Sequence, residues 1–184
     1  PMHVGHIRST IIGDTLARLA RFMGHTVITD NHIGDWGTQF GMILWGWKNI
    51  LQQEELEKDP IEALLAVYKT VNQKCKEEEE LLPICKAELV KLQSGDEENL
   101  AIWKRCIEVT KMGLEKIYAQ LDISFDHWLG ESAYNDALAP LVEDLIAKGI
   151  ARESDGAICV FSDGYHKPEK DPFLVQKNGE WVPV

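Results

Sequence analysis

The sequence predicts an α/β fold that contains a large helical insertion and a small β region near the C-terminus. Three observations indicate this. A helical pattern near the start is followed at once by a β-branched run, long helical periodicities fill the middle, and short strand-like runs follow residue 150. The 184 residues, 45% of them apolar, are enough for a core that hides roughly 70% of the unfolded surface.

The first predicted elements are a helix over residues 7–23 and a strand over residues 25–30. Four apolar residues recur at helical spacing in the helix: Ile12, Leu16, Leu19 and Met23. Gly24 ends it, and the following run is rich in β-branched residues. This order is typical of a βαβ unit with parallel strands. Such a unit needs a strand before the helix, so we expect the chain to be a fragment of a longer protein.

The middle of the chain is predicted to be helical. After a turn at residues 34–37, an apolar helix is expected over residues 40–52. Asp59 and Pro60 start a helix that reaches about Lys76, and another ends at Gln93. A long helix over residues 97–121 is predicted to face the core with one stripe: Trp103, Ile107, Thr110, Leu114, Ile117 and Leu121.

The last third of the chain returns to mixed structure. We expect strands at residues 123–128, 157–161 and 173–176, and a helix at residues 135–148 that Gly149 ends. The sequence thus divides into residues 1–52, an α/β start, residues 53–122, a helical insertion, and residues 123–184, the remaining α/β part.

Composition and charge exclude several classes of protein. No apolar run approaches the ~20 residues that a membrane-spanning helix needs, so no membrane partner is expected. The formal charge of −11 argues against a protein that coats duplex nucleic acid. The acidity lies in residues 52–184, because residues 1–51 hold four basic and three acidic side chains.

The four cysteines, at positions 75, 85, 106 and 159, have spacings that match no zinc framework. We interpret them as reduced, buried or half-buried thiols, and therefore expect a cytoplasmic protein.

The strongest chemical signal is the run His3-Val4-Gly5-His6 at the start of the first helix. A helix N-terminus offers free N–H groups and a partial positive charge to an anion. Gly5 removes a side chain, and the two imidazoles can donate hydrogen bonds to phosphate oxygens. Donors fixed in this way stabilise charge that develops in a transition state. Two alternatives stay open: a purely structural role, and a metal site that recruits His25 and His32.

Residues 1–14 resemble the signature segment, the "HIGH" motif, of class I aminoacyl-tRNA synthetases, and more narrowly that of arginyl-tRNA synthetases. Further stretches agree with the same family in the same order: residues 31–41, 91–96, 130–135, 153–157 and 175–177. The resemblance implies the first half of a Rossmann-like class I synthetase catalytic domain.

The resemblance also implies a reaction. Members of the family activate L-arginine with ATP, whose phosphates are expected to carry Mg²⁺, and transfer the arginyl group to tRNA(Arg). By the match, His3 and His6 are catalytic and bind ATP together with Gly5. Five further residues are implied to line the substrate pocket, with no metal bound by the protein itself: Asn31, Gly34, Asp35, Gln39 and Glu131.

Two expectations concern the chain in isolation. As a fragment it should be inactive by itself, and it should self-associate through an apolar face or open sheet edge beside the first helix. The alternative is a free-standing binding module or a histidine metal module.

Overall fold

The computed structural model describes residues 2–154, 156–161, 173–177 and 180–181. The chain divides into two compact units, Pro1–Ser132 and Ala133–Val184. The first unit is mostly helical, and the second combines one helix with a small antiparallel sheet. The three-part division expected from the sequence stays a prediction.

Helix α1 spans Val4–Phe22 and begins three residues earlier than predicted, because His3 caps its first turn. Its C-terminal end is followed by Gly24, whose φ of +88° suits a residue without a side chain. Ala17 is its only buried residue, and the apolar stripe predicted for the helix is exposed. An open apolar face therefore runs along α1.

The strands predicted at residues 25–30 and 123–128 are wrong as full strands. The two segments lie parallel, as a βαβ unit requires, but only one bridge joins them, between Asp30 and His127. The carboxylate of Asp126 accepts hydrogen bonds from both the N–H and the hydroxyl of Thr29, each at 2.8 Å. These bonds lower the pKa of Asp126. The side chain therefore takes a backbone donor that a regular ladder would use.

Five helices follow, and two of them begin at an aspartate whose side chain caps the helix. They are α2 (Thr38–Asn49), α3 (Gln53–Lys58), α4 (Pro60–Glu77), α5 (Leu81–Gln93) and α6 (Glu97–Gln120). Asp59 caps α4 by accepting from the N–H of Glu62 at 3.2 Å, and Asp96 caps α6 by accepting from that of Asn99 at 3.0 Å. The short helix α3 was not anticipated.

The core of the first unit consists of two clusters. Both contain residues of α5, and α2 takes part in the larger one and packs against the other. The larger joins α2, α5 and α6 through Phe40, Leu44, Leu92, Ile102 and Cys106. The other joins α4 and α5 through Val67, Val71, Leu81 and Cys85, with Met42 and Trp45 of α2 against it. Helix α2, whose first turn contains the predicted pocket residue Gln39, thus packs against both clusters of the helical core.

The core-facing stripe of α6 lies one residue away from the predicted one. Its buried residues are Asn99, Ile102, Cys106, Val109 and Tyr118. Thr110 is exposed and the other residues of the predicted stripe are half-buried. The shift has a physical reason: Asn99 is fully buried because it bonds α5, donating to the backbone oxygen of Glu88 at 2.9 Å.

The second unit contains α7 (Asn135–Ala147) and four strands: β1 (Ala151–Ser154), β2 (Ala157–Val160), β3 (Phe173–Lys177) and β4 (Glu180–Trp181). All neighbouring strands pair antiparallel in the order β1-β2-β3-β4. The predicted strands correspond to β2 and β3, and Gly149 follows α7 with a φ of +67°.

Within the described residues, no helix has the length and apolar character needed to cross a lipid bilayer.

Candidate active site

His3 and His6 form a reciprocal cap at the start of α1. Nδ1 of His3 accepts a hydrogen bond from the N–H of Gly5 at 3.1 Å, and Nδ1 of His6 accepts one from the N–H of His3 at 3.3 Å. This arrangement is the capping box, here made by two imidazoles. The spacing of three residues between His3 and His6 therefore allows the two side chains to cap the start of the helix.

The same hydrogen bonds fix what each imidazole offers to a ligand. Because Nδ1 of a neutral ring accepts, the ring carries its proton on Nε2. The two rings stack with their centroids 3.8 Å apart and their planes inclined by 21°. Both histidines are exposed, so two N–H donors stand together at the start of the helix.

Gly5 leaves room for the ring of His3 in its capping position. A Cβ at residue 5 would lie 2.9 Å from Cε1 and 3.0 Å from Nδ1 of His3, so the ring would have to shift. The sequence predicted that Gly5 makes room for a ligand. The structure adds that Gly5 makes room for the histidine that caps the helix.

The first turn of α1 has the features of an anion site. Backbone pairing begins when Ile7 donates to the oxygen of His3 at 3.2 Å, so the N–H groups of Val4 and His6 lie outside the helical ladder, whereas those of His3 and Gly5 donate to the two imidazoles. Together with the two imidazole donors and the positive end of the helix, they suit a phosphate group. Met2, next to His3, lines a cavity of about 410 Å³.

Three of the implied substrate-pocket residues line that same cavity: Gly34, Asp35 and Gln39. Most of the remaining wall comes from apolar residues of α2, α4 and α6, among them Phe40, Leu64 and Ile107. Gly34, Asp35 and Gln39 therefore share one cavity with Met2, whereas His3, Gly5 and His6 do not line it. That these residues form one site stays a prediction.

Asp35 is buried and its carboxylate is engaged by the turn after residue 130. It accepts from the N–H of Ser132 at 2.9 Å and from the hydroxyl of Ser132 at 2.6 Å. Gly130 is packed against it, since a Cβ there would lie 2.6 Å from Oδ1 of Asp35. The backbone oxygen of Asp35 accepts from the indole N–H of Trp103 at 2.9 Å. Asp35 thus fixes the local backbone, and its carboxylate does not cap α2.

Glu131 completes a reciprocal pair of contacts with the same loop. Its carboxylate accepts from the N–H of Trp36 at 3.3 Å, and its own N–H donates to the oxygen of Ile33 at 3.1 Å. Gly34 faces the Glu131 side chain, because a Cβ there would lie 3.7 Å from Oε1. We call the contacts of Asp35 with Ser132 and of Glu131 with Trp36 the carboxylate clamp.

Asn31 lies apart from the other implied pocket residues. Its amide donates to the hydroxyl of Tyr118 at 3.1 Å, and it lines a second cavity of about 310 Å³ between α1 and the paired segments at residues 29–31 and 123–125. Its contacts therefore hold the end of α6 against the segment that follows α1.

The histidines named in the metal alternative do not converge in the part of the chain that the structure describes, which contains no group of three or more His, Cys, Asp or Glu side chains placed to hold a metal ion. Nδ1 of His32 lies 2.8 Å from the backbone oxygen of Leu129. His25 is exposed.

Sequence reasoning missed Met2, Trp103 and Ser132. Met2 and Trp103 are apolar residues that carry no chemical signature, and Trp103 was assigned to the core stripe of α6. Ser132 was detectable only as part of the Gly130-Glu131-Ser132 run, which gives no hint that its partner is Asp35, 97 residues away.

Comparisons with known proteins agree with the motif order. The family model described as class I tRNA synthetases (R), catalytic domain, matches residues 1–182. The chain is 45% identical over 179 residues to the arginine–tRNA ligase of Fusobacterium nucleatum, covering 96% of this chain and 31% of that protein. It is 42% identical over 177 residues to that of Alkaliphilus metalliredigens, with 96% and 31% covered.

A solved structure agrees as well. The crystal structure of arginyl-tRNA synthetase from Plasmodium falciparum matches with a TM-score of 0.79 and 33% identity, over 98% of this chain and 30% of that one. The predicted fold class is therefore confirmed. The chain spans about 30% of the length of the relatives it matches.

Proposed function

Because this chain belongs to the family of class I arginyl-tRNA synthetase catalytic domains, we propose that it supplies the ATP-binding signature of an arginine–tRNA ligase. The whole enzyme activates L-arginine with ATP to form arginyl-adenylate and pyrophosphate. It then transfers the arginyl group to tRNA(Arg) in the cytoplasm. The chain by itself lacks the activity.

The observation that supports this proposal best is the pair of imidazole donors at the start of α1. Nε2 of His3 and Nε2 of His6 each carry a proton, because both Nδ1 atoms accept backbone hydrogen bonds. During transfer at the α-phosphate, negative charge grows on the phosphate oxygens. Donors already in place stabilise that charge without reorganising, by about 3 kcal/mol for each donor in comparable sites.

The substrates are assigned to different parts of the site. ATP places its phosphates at the start of α1, beside His3, Gly5 and His6, and the Mg²⁺ that accompanies it arrives on those phosphates. Gly34, Asp35 and Gln39 belong to the wall of the neighbouring substrate pocket. Glu131 supports the pocket by holding the loop before α2, and Asn31, which lines the second cavity, acts by holding the end of α6.

The test is arginine-dependent ATP–pyrophosphate exchange by the full-length protein with tRNA(Arg) present. His6→Ala should lower the exchange rate by on the order of 100-fold, because one transition-state donor is lost. The matched control is His25→Ala, which removes an exposed histidine beyond the end of α1 and should leave the rate unchanged. A His6→Ala rate within threefold of the unaltered protein would contradict the proposed role.

A second variant separates catalysis from helix capping. His3→Asn keeps a short side-chain acceptor suited to the cap position, but it removes the imidazole donor. We expect an unchanged melting temperature and a loss of exchange similar to that of His6→Ala. If the rate falls only in proportion to a loss of folded protein, His3 has a structural role alone.

A further inference from the structure

Two cysteines lie side by side where α4 ends and α5 begins. Cys75 lies in the last turn of α4 and Cys85 in the second turn of α5, and their Sγ atoms are 3.9 Å apart. The remaining two cysteines, Cys106 in α6 and Cys159 in β2, are buried in other parts of the fold. The thiol pair belongs to neither of the cavities described above.

The two thiols differ in their access to solvent. Cys85 is fully buried in the cluster with Val67, Val71 and Leu81, and burial raises the pKa of its thiol to about 12. Cys75 packs against the same cluster from a half-buried position. Reagents in solution therefore reach Cys75 first, and Cys85 is the nearest group able to react with the product.

We propose that Cys75 and Cys85 form an oxidisable dithiol site that closes to a disulfide between α4 and α5, with a small-molecule disulfide such as oxidised glutathione as the reactant. This site is independent of the ligase function proposed above.

The reaction proceeds by two exchanges. The sulfur of Cys75 loses its proton and attacks one sulfur of oxidised glutathione, whose S–S bond breaks and releases one glutathione thiolate, which takes up a proton. The sulfur of Cys85 then attacks the Cys75 sulfur of the mixed disulfide, and its proton passes to the departing sulfur, which leaves as the second glutathione thiol. Because the pKa of Cys85 is raised, this second exchange is the slower one. Overall, two protein thiols are oxidised to one disulfide, and one glutathione disulfide is reduced to two thiols.

The geometry favours closure by side-chain rotation. A disulfide bond is about 2.05 Å long, so the sulfurs must approach from 3.9 Å. The backbone at Cys85 is fixed, because its oxygen lies where α5 crosses Gly41 of α2, only 2.2 Å from the position of a Cβ there. Rotation of Cys75, at the half-buried end of α4, therefore provides most of the movement.

The disulfide changes an observable property of the folded chain. It links two positions ten residues apart and restricts the unfolded state more than the folded one. We therefore expect the melting temperature of the oxidised protein to rise by about 5 °C or more, reversibly with dithiothreitol.

The experiment treats the folded protein with oxidised glutathione and maps its peptides by mass spectrometry without reduction. The expected product is a cross-linked peptide pair containing Cys75 and Cys85, lighter by two hydrogen atoms. In Cys85→Ala the reaction should stop at glutathione on Cys75. Cys75→Ser should give no cross-link. Because Cys75 is only half-buried, this variant should fold even if Cys85→Ala does not, and it then serves as the control. Cys106→Ala should cross-link like the unaltered protein.

Two outcomes would overturn the proposal. One is glutathione on Cys75 as the final product in the unaltered protein, with Cys85 unmodified. The other is a cross-link that forms only when urea unfolds the chain, which would show that the folded pair does not react.

Discussion

The carboxylate of Asp35 is buried and hydrogen-bonded, and these two properties indicate a structural role. Its carboxylate accepts two bonds from Ser132, and only 3% of the residue is exposed. Removing the carboxylate of Asp35 leaves the two donors of the half-buried Ser132 without their acceptor, and this loss of free energy adds to that of the hydrogen bonds themselves. The residue therefore holds the substrate-pocket wall in place and need not touch a substrate to matter.

We predict that Asp35→Ala lowers the free energy of unfolding by about 2–3 kcal/mol. Ser132→Ala should cost about 1 kcal/mol, and the double variant should cost less than the sum of the two, because both remove the same contact. Urea unfolding of the four proteins measures this. Strictly additive losses would mean that the carboxylate clamp does not form.

Glu88 is a second buried carboxylate, and its charge is balanced from three sides. Burial by itself raises its pKa, but hydrogen bonds from Lys48, Lys91 and Asn99 outweigh burial and lower the pKa to about 2. A carboxyl group with a lowered pKa stabilises the fold above its unfolded pKa of about 4.3. That stability is lost as the pH falls from about 4.3 towards 2.

We predict that Glu88→Gln lowers the free energy of unfolding by about 2 kcal/mol at pH 7 and by less at pH 3. The control is Glu108→Gln, which removes the same charge from a side chain that is 64% exposed and should cost under about 0.5 kcal/mol. Urea unfolding at several pH values measures both. If the difference in free energy of unfolding between the unaltered protein and Glu88→Gln does not become smaller below pH 4, Glu88 has an ordinary pKa.

Contacts between residues close together in the chain could be predicted from the sequence, and contacts between distant residues could not. His3, Gly5 and His6 adjoin one another in the chain, so their helix and their shared orientation could be inferred from spacing. Asp35 and Ser132 are 97 residues apart, and no local rule pairs them. The sequence singled out Gly5 as making room for a ligand, a role that stays a prediction, whereas its close approach to the His3 ring became visible only in the structure.

At the scale of elements, the starts of helices α4 and α6 were predictable, because each is capped by an aspartate next to it in the chain, Asp59 for α4 and Asp96 for α6. The segments at residues 25–30 and 123–128 have β-branched or apolar sequences, but a strand exists only through its partner. There, side chains such as Asp126 take up donors that a ladder would use. Local propensity could not reveal this competition.

The packing of α2 against α5 depends on Gly41. A Cβ there would lie 2.2 Å from the backbone oxygen of Cys85 and 3.2 Å from Cβ of Leu89. We predict that Gly41→Ala lowers the free energy of unfolding by about 3 kcal/mol, because the added methyl group would force the backbone of α5 at Cys85 away from α2. The control is Gly13→Ala in α1, where nothing lies within 4 Å and better helix propensity should stabilise by about 0.5 kcal/mol. Equal effects of the two variants would contradict close packing.

At the scale of the whole molecule, the outstanding feature is the open apolar face of α1. Its most exposed apolar residues include Val4 at 82%, Leu16 at 60% and Phe22 at 90%. Ile12 and Leu19 extend the same stripe. Monomeric proteins rarely leave so continuous an apolar surface in water, because burying it releases about 25 cal/mol for each Å². The charge on α1 is small, since the helix holds three basic side chains and one acidic side chain, a net charge of +2.

We therefore predict that this chain self-associates through α1, with a sedimentation coefficient that rises with concentration over the micromolar range. The double variant Leu16→Glu and Leu19→Lys should remove the association, because it places charges in the apolar face without changing the net charge. The control is Met112→Gln in α6, which removes a similarly exposed apolar side chain, 57% exposed, from another surface. A monodisperse monomer at every concentration, with a cooperative melt above ~65 °C, would contradict the prediction, because such behaviour exceeds that of typical mesophilic domains.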